Sequence, residues 1–161
     1  MNHITQQTAQ NKNMKIKFEK PVEAFAAIAW IIIAADKNGS IEERDFLYQR
    51  IKGLDVFINY RLAEFSQLLG ATFLKIFPKD EYSIAEESVD SLIASARNVL
   101  SLKLRMDAFE MAVGLANADG ICDEEKILLK QLQNGFAIDV KTAQRILNTE
   151  TSGKLETVME L

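Results

Sequence analysis

The sequence predicts a compact all-α protein of about seven helices. Three observations support this prediction. Apolar residues recur every three to four positions along most of the chain, and no segment shows the sustained alternation of a half-buried strand. Only 2 prolines and 7 glycines occur in 161 residues, a length that suits one domain with a substantial core.

The helices are placed by their end signals and by the spacing of their apolar residues. Pro21 suits a first helical position, and the isoleucines and alanines after it leave almost no polar face, which predicts a buried central helix with Trp30 in the core. Gly53 ends the second helix, Gly70 is a candidate break in the third, and Pro78 ends it. The predicted helices span residues 21–36, 41–52, 58–77, 84–100, 102–117, 123–133 and 140–147.

Short polar residues mark where the later helices begin. Ser83 with Glu86 has the sequence of a capping box. Ser101 and Asp139 each precede a segment with helical apolar spacing, as N-caps do. These signals predict the starts of the fourth, fifth and seventh helices.

The two ends of the chain are predicted to differ from the domain between them. Residues 1–18 are polar at their start and lack the apolar segment of a secretory signal, so we expect a disordered lead. The helical domain is predicted over residues 19–150, and residues 151–161 form either a tail or a short helix. The longest uncharged apolar run, residues 24–35, is shorter than the roughly twenty residues that cross a bilayer. We therefore expect a cytoplasmic protein without direct membrane insertion.

Two short acidic joints recur in the chain. The first reads Ala-Asp-Lys-Asn-Gly-Ser-Ile-Glu-Glu over residues 35–43, and the second reads Ala-Asp-Gly-Ile-Cys-Asp-Glu-Glu over residues 118–125. Each joint follows an apolar helix and precedes an amphipathic one. The sequence therefore predicts two pseudo-repeated hairpins of helix, acidic loop and helix, packed face to face with both loops at one end.

One interpretation of the joint acids is helix-start chemistry. Glycine permits the positive φ with which a chain leaves a helix. Ser40 with Glu43 matches a capping box in the first joint. In the second joint, Asp119 or Asp123 is a candidate cap, and the glutamates after it suit the positive end of the helix dipole.

The other interpretation is a divalent cation, calcium or magnesium, held by oxygen ligands. Asp36, Asn38 and Ser40 alternate like the first three ligands of an EF-hand, but Ile41 and Leu47 occupy the places of its invariant glycine and bidentate glutamate. A shortened loop would use Asp36, Asn38 and Glu43. Alternatively, the two loops share one ion through the second joint, whose acids are Asp119, Asp123 and Glu124.

Several classes of function are disfavoured by composition. A formal charge of -4 gives no electrostatic attraction to nucleic acid. His3 is the sole histidine, and no phosphate-binding loop or dinucleotide fingerprint occurs, so catalysis by a histidine base or a bound nucleotide is not expected. Cys122 is the sole cysteine, which suits a reducing compartment and favours a small buried hydrophobe over a reactive thiol.

The two joints, as quoted above, resemble those of the TerB-like tellurite-resistance family. The resemblance covers about residues 22–147. It implies a compact all-α domain without established enzymatic activity, linked to bacterial tellurite and other chemical-stress resistance. It also implies metal binding at acidic positions and association with larger stress-response assemblies, some at the membrane. Carried position by position, the acidic motif falls on Asp36, Glu42, Glu43, Asp119, Asp123 and Glu124.

These observations predict a non-enzymatic helical binding or scaffold module with protein partners, which holds a divalent cation at its paired acidic loops. Two alternatives stay open. One is a structural interaction domain whose acids only cap helices. The other is a hydrolase that uses a carboxylate-bound ion to activate water.

Overall fold

The computed structural model describes residues 16–35, 49, 51–77, 86–117 and 120–159, without the side chains of residue 86 and residues 150–159. Within these residues all regular structure is helical and no strand occurs. The predicted all-α class is therefore confirmed. The α-helices are α1 Pro21–Ala35, α2 Leu62–Ile76, α3 Glu86–Val99, α4 Leu102–Ala116, α5 Asp123–Gly135 and α6 Val140–Met159, and a 3-10 helix covers Asp55–Phe57. Residues 1–15 and most of the predicted second helix lie outside the described residues.

Helix α1 is the central element of the core, as its sequence predicts. It packs against α2, α3, α4 and α5, and almost all of its residues after Glu23 are buried. The backbone N–H groups of Glu19 and Lys20 donate to the Glu23 carboxylate at 3.1 and 3.2 Å, which satisfies the start of the helix. Apolar residues on every side of this helix suit its burial on several faces.

The chain before α1 is also packed on the core. Ile16 and Phe18 are buried, and the Ser95 hydroxyl donates to the Ile16 carbonyl. The Lys75 ammonium lies 5.5 Å from the centroid of the Phe18 ring, and it also pairs with Glu23 at 3.5 Å. Two of the residues that the sequence assigns to the N-terminal lead, Ile16 and Phe18, are therefore packed on the core.

Aromatic contacts join α2 to α1. The rings of Trp30 and Phe73 meet edge to face at 5.0 Å, and the Trp30 Nε1–H donates to the Leu69 carbonyl at 2.9 Å. Trp30 is half-buried. Helix α2 continues through Gly70, so the candidate break there is wrong. The helix begins at Leu62, later than predicted, because the 3-10 helix and a turn precede it.

The C-terminal end of α5 is closed by a Schellman arrangement. Ile138 N–H donates to the Gln133 carbonyl at 3.0 Å, and Ala137 N–H donates to the Asn134 carbonyl at 3.1 Å. Ala137 has a φ of 55°, a conformation that glycine usually supplies. The helix therefore ends through an alanine in the left-handed region, two residues after Gly135.

Two arginines from neighbouring helices bind the same end of α5. Arg97 Nη1, from α3, donates to the Gly135 carbonyl at 3.3 Å. Arg105 Nη1, from α4, donates to the Phe136 carbonyl at 2.9 Å, and both groups place positive charge at the negative end of the helix dipole. Arg105 Nε is buried without a hydrogen-bond partner in the described part of the chain.

The predicted N-caps Ser101 and Asp139 are confirmed. The Ser101 hydroxyl accepts from Leu104 N–H at 3.2 Å, and the Asp139 carboxylate accepts from Thr142 N–H at 2.8 Å. The last helix is longer than predicted, since α6 reaches Met159 and the prediction stopped at residue 147. No proline follows to end it, and the polar residues after 147 continue the helical backbone.

Candidate functional site

The second acidic joint is described from Gly120 onward. Gly120 has a φ of 84°, so this position is a turn that a side chain would strain, as predicted for the glycine of a joint. Its N–H donates to the Asn117 carbonyl at 3.4 Å, directly after α4 ends. The chain therefore turns sharply between α4 and α5, and Asp119 lies outside the described residues.

The cap of α5 is Cys122. Asp123 is the first residue of the helix, so the prediction that Asp123 caps it is wrong. Cys122 N–H donates to Glu125 Oε1 at 3.0 Å, and the Cys122 side chain takes the place that a serine or threonine hydroxyl has in a usual capping box. The acceptor for the N–H of the capping residue is therefore the side chain of the third residue of the helix, Glu125.

Glu125 has a capping role that the sequence analysis did not assign to it. It is only 2% exposed, although most glutamates lie at the surface. The signal that could have identified it is the spacing of three residues between Cys122 and Glu125, which is the spacing of a capping box. The carboxylate is held in the helix start, where the N–H groups and the dipole favour negative charge.

The two described residues among the predicted ligands are exposed. Asp123 has a side chain that is 93% exposed and lies 3.9 Å from Lys126 Nζ, and its neighbour Glu124 is also exposed. Consecutive helical positions point about 100° apart, so the two carboxylates diverge. No group of three His, Cys, Asp or Glu side chains suited to a metal occurs in the described residues. The other predicted ligands, Asp36, Asn38, Glu42, Glu43 and Asp119, lie outside them.

The two helices that lead into the joints pack against one another. α1 ends at Ala35, one residue before Asp36, and α4 ends at Ala116, shortly before Asp119. α1 and α4 are in direct contact. This contact joins the first helices of the two predicted hairpins.

The thiol of Cys122 is half-buried, so it is not the core residue that the sequence predicts. Burial raises the pKa of this thiol to about 11, and the neighbouring Glu125 carboxylate adds to the shift. The thiol is therefore protonated at neutral pH, and thiolate is the nucleophilic form of cysteine. The expectation of low reactivity fits this environment.

Two cavities open on the described surface. One, of about 280 Å³, lies between the turn at Gly53, the 3-10 helix and α4, with Phe25 and Met111 among its lining residues. The other, of about 330 Å³, lies between the segment before α1 and α2, and it includes Tyr60, Thr72 and the paired Glu23 and Lys75. Neither involves the residues of the second joint.

None of the described helices combines the length and the apolar character that a bilayer-spanning helix needs. Comparison with protein-family models, with curated proteins and with solved structures found no match to this chain. The likeness to the TerB-like family therefore rests on the two joints alone.

Proposed function

We propose that the chain is a non-enzymatic helical binding module of the TerB-like kind, which acts in a bacterial chemical-stress response in the cytoplasm and holds a divalent cation between its acidic joints. The proposal includes two pseudo-repeated hairpins, one formed by α1 with the predicted helix over residues 41–52 and the other by α4 with α5. Seven helices would then complete the bundle. Its partners are proteins of a stress-response assembly.

The observation that carries this proposal is the packing of α1 on α4. These are the helices from which the chain enters the two joints, and a shared ion requires that their C-terminal ends lie side by side. Asp123 and Glu124 are both exposed at the second joint, and the Asp123 carboxylate is accessible to an ion. Hard cations such as calcium take six to eight oxygen ligands, which one joint supplies less readily than two.

A second candidate function is an interaction domain whose joint acids only start helices. The contact between Cys122 N–H and Glu125 favours it, because this acid is already committed to the capping of α5. In that case no ion is needed, and the exposed Asp123 would contribute only to the charge of the surface and to its pair with Lys126.

Thermal unfolding of the chelator-stripped protein separates the two functions. Calcium, magnesium, manganese and zinc are added singly at millimolar concentration. An ion that binds only the folded state, at one hundred times its Kd, adds about 2.7 kcal/mol to the free energy of unfolding. That addition raises the melting temperature of a domain of this size by several degrees.

Two double variants test whether an ion-dependent rise in melting temperature comes from the joints. The double variant Asp36→Ala with Asp119→Ala is expected to lose the shift completely. A matched double variant, Glu64→Ala with Glu87→Ala, removes two exposed acids from α2 and α3 and is expected to keep it. A shift that survives in the joint variant contradicts the site, and no shift with any ion favours the interaction domain.

A further inference from the structure

We propose that the cavity beside the 3-10 helix is a binding site for a small organic amine with an apolar body. This inference goes beyond the cation at the joints, because the cavity shares no residue with them. Its floor is apolar and its rim carries three carboxylates against one ammonium. A ring or branched chain would fill the floor and a protonated amine would lie at the rim.

The floor of the cavity is built from the core. Phe25 of α1 and Met111 of α4, each 1% exposed, close the bottom of the cavity, and the partly buried Leu54, Val56 and Leu104 supply the apolar surface that a ligand would contact. Ligand sites are typically lined by such apolar and aromatic side chains with a few polar groups at fixed places. The floor therefore favours an apolar ligand body over a hydrated ion.

The volume of the cavity sets the size of that body. A dry cavity of about 150 Å³ accommodates a benzene molecule. The cavity here measures about 280 Å³ and opens to solvent. It has room for a six-membered ring with a short chain that reaches the rim.

The rim determines the charge of the ligand. Asp55 begins the 3-10 helix, and Asp107 and Glu110 project from α4 on the same side as Lys103. Lys103 Nζ is held by Asp107 Oδ2 at 3.2 Å, so this ammonium is already neutralised. Asp55 and Glu110 form no ion pair with a described residue, so their charges are available to a cation. An anionic ligand of the same shape would be repelled.

The test compares three probes that share a phenyl ring and differ in their polar end: phenethylamine, 2-phenylethanol and 3-phenylpropanoate. Each is titrated into the full chain while the Met111 methyl and the Gly53 and Leu54 amides are followed by NMR. We expect phenethylamine to bind with a Kd of about 1 mM, as its few atoms allow. The alcohol should bind several-fold more weakly, and the carboxylate at least about tenfold more weakly, because the three probes share the ring and its linker and differ mainly in the charge of the polar end.

Variants at the rim test the charge selectivity in both directions. Asp55→Asn with Glu110→Gln should weaken phenethylamine about tenfold and leave the alcohol unchanged. Lys103→Gln frees Asp107 and should tighten phenethylamine about threefold. Glu64→Gln with Glu87→Gln, which removes the same charge from acids away from the cavity, should change neither probe.

Four outcomes would overturn the proposal. They are equal affinity for all three probes, tighter binding of the carboxylate, no spectral change at 10 times the expected Kd, and changes centred on Tyr60 and Thr72, which line the second cavity. Since these variants lie on the surface, they are not expected to unfold the protein, and the NMR spectrum of each variant checks that it is folded.

Discussion

Gly135, the last residue of α5, lies so close to the Cγ2 methyl of Ile93 on α3 that no Cβ fits between them. The Ile93 side chain branches at Cβ and is stiff, so it cannot rotate away at low cost. The absence of a side chain at Gly135 therefore allows α5 to pack closely against α3. The left-handed residue of the same end is Ala137, two positions later.

The same substitution at two helical glycines should have opposite effects. Gly135→Ala is expected to lower the free energy of unfolding by about 1–3 kcal/mol through overpacking against Ile93. Gly70→Ala, at an exposed position of α2 with open space around it, is expected to raise it by about 1 kcal/mol through helix propensity. Urea denaturation followed by the fluorescence of Trp30 measures both. Ile93→Leu, which removes the Cβ branch, should rescue much of the Gly135→Ala loss, and no rescue would contradict the contact.

Ala137→Gly should stabilise the protein. A non-glycine residue in the left-handed region costs about 1–2 kcal/mol, and the greater freedom of glycine in the unfolded chain offsets part of that gain. We expect a net increase of about 0.5–1 kcal/mol in the free energy of unfolding. The control is Ala71→Gly in the exposed middle of α2, which should cost about 1 kcal/mol. Equal destabilisation by Ala137→Gly and Ala71→Gly would contradict the left-handed conformation of Ala137.

The Asp139 cap predicts a dependence of stability on acidity. Hydrogen bonds from the backbone and the side chain of Thr142 lower the pKa of the Asp139 carboxyl from its ordinary value of 3.8. A carboxyl with a depressed folded pKa contributes stability above its unfolded pKa, and that contribution is lost as pH falls through the folded pKa. Stability of the wild type relative to Asp139→Asn should therefore fall below about pH 4 and be constant above pH 5. A flat difference across this range would contradict the cap.

Cys122 should react slowly with alkylating reagents. With a pKa of about 11 against an ordinary 9.0, its thiolate fraction at pH 8 is lower by about 100-fold than that of a free thiol. Iodoacetamide labelling, followed by mass spectrometry, should be at least about tenfold slower than that of glutathione, because the higher nucleophilicity of a thiolate with a raised pKa offsets part of its lower fraction. Glu125→Gln should raise the rate only in part, because burial is the larger cause of the shift. A native rate equal to that of glutathione would contradict the environment described for the thiol.

Local signals in the sequence predicted the elements that depend on local chemistry. Ser101 and Asp139 cap their helices because a side-chain oxygen next to a helix start needs no distant partner. The central helix is buried because apolar residues on all sides allow no other placement. The all-α class follows from the same periodicity.

The differences from the predictions come from tertiary contacts. Gly70 does not break α2, because a glycine costs about 1 kcal/mol and the burial of Phe65 and Ile76 on either side outweighs that cost. The contact of Gly135 with Ile93 depends on how two helices meet, which a single sequence does not contain. The capping role of Glu125 is local and is indicated by its spacing from Cys122, but the depth of its burial is not. Most predicted ligands lie outside the described residues, so the cation remains a proposal.

The most direct test of the proposed function is a calorimetric titration of the chelator-stripped protein with calcium and with magnesium. We expect saturable binding of at least one of these ions. This binding should be lost in the double variant Asp36→Ala with Asp119→Ala and kept in Glu64→Ala with Glu87→Ala. An absence of binding up to millimolar ion in the folded wild type, or unchanged binding in the joint variant, would contradict a cation at the paired acidic joints.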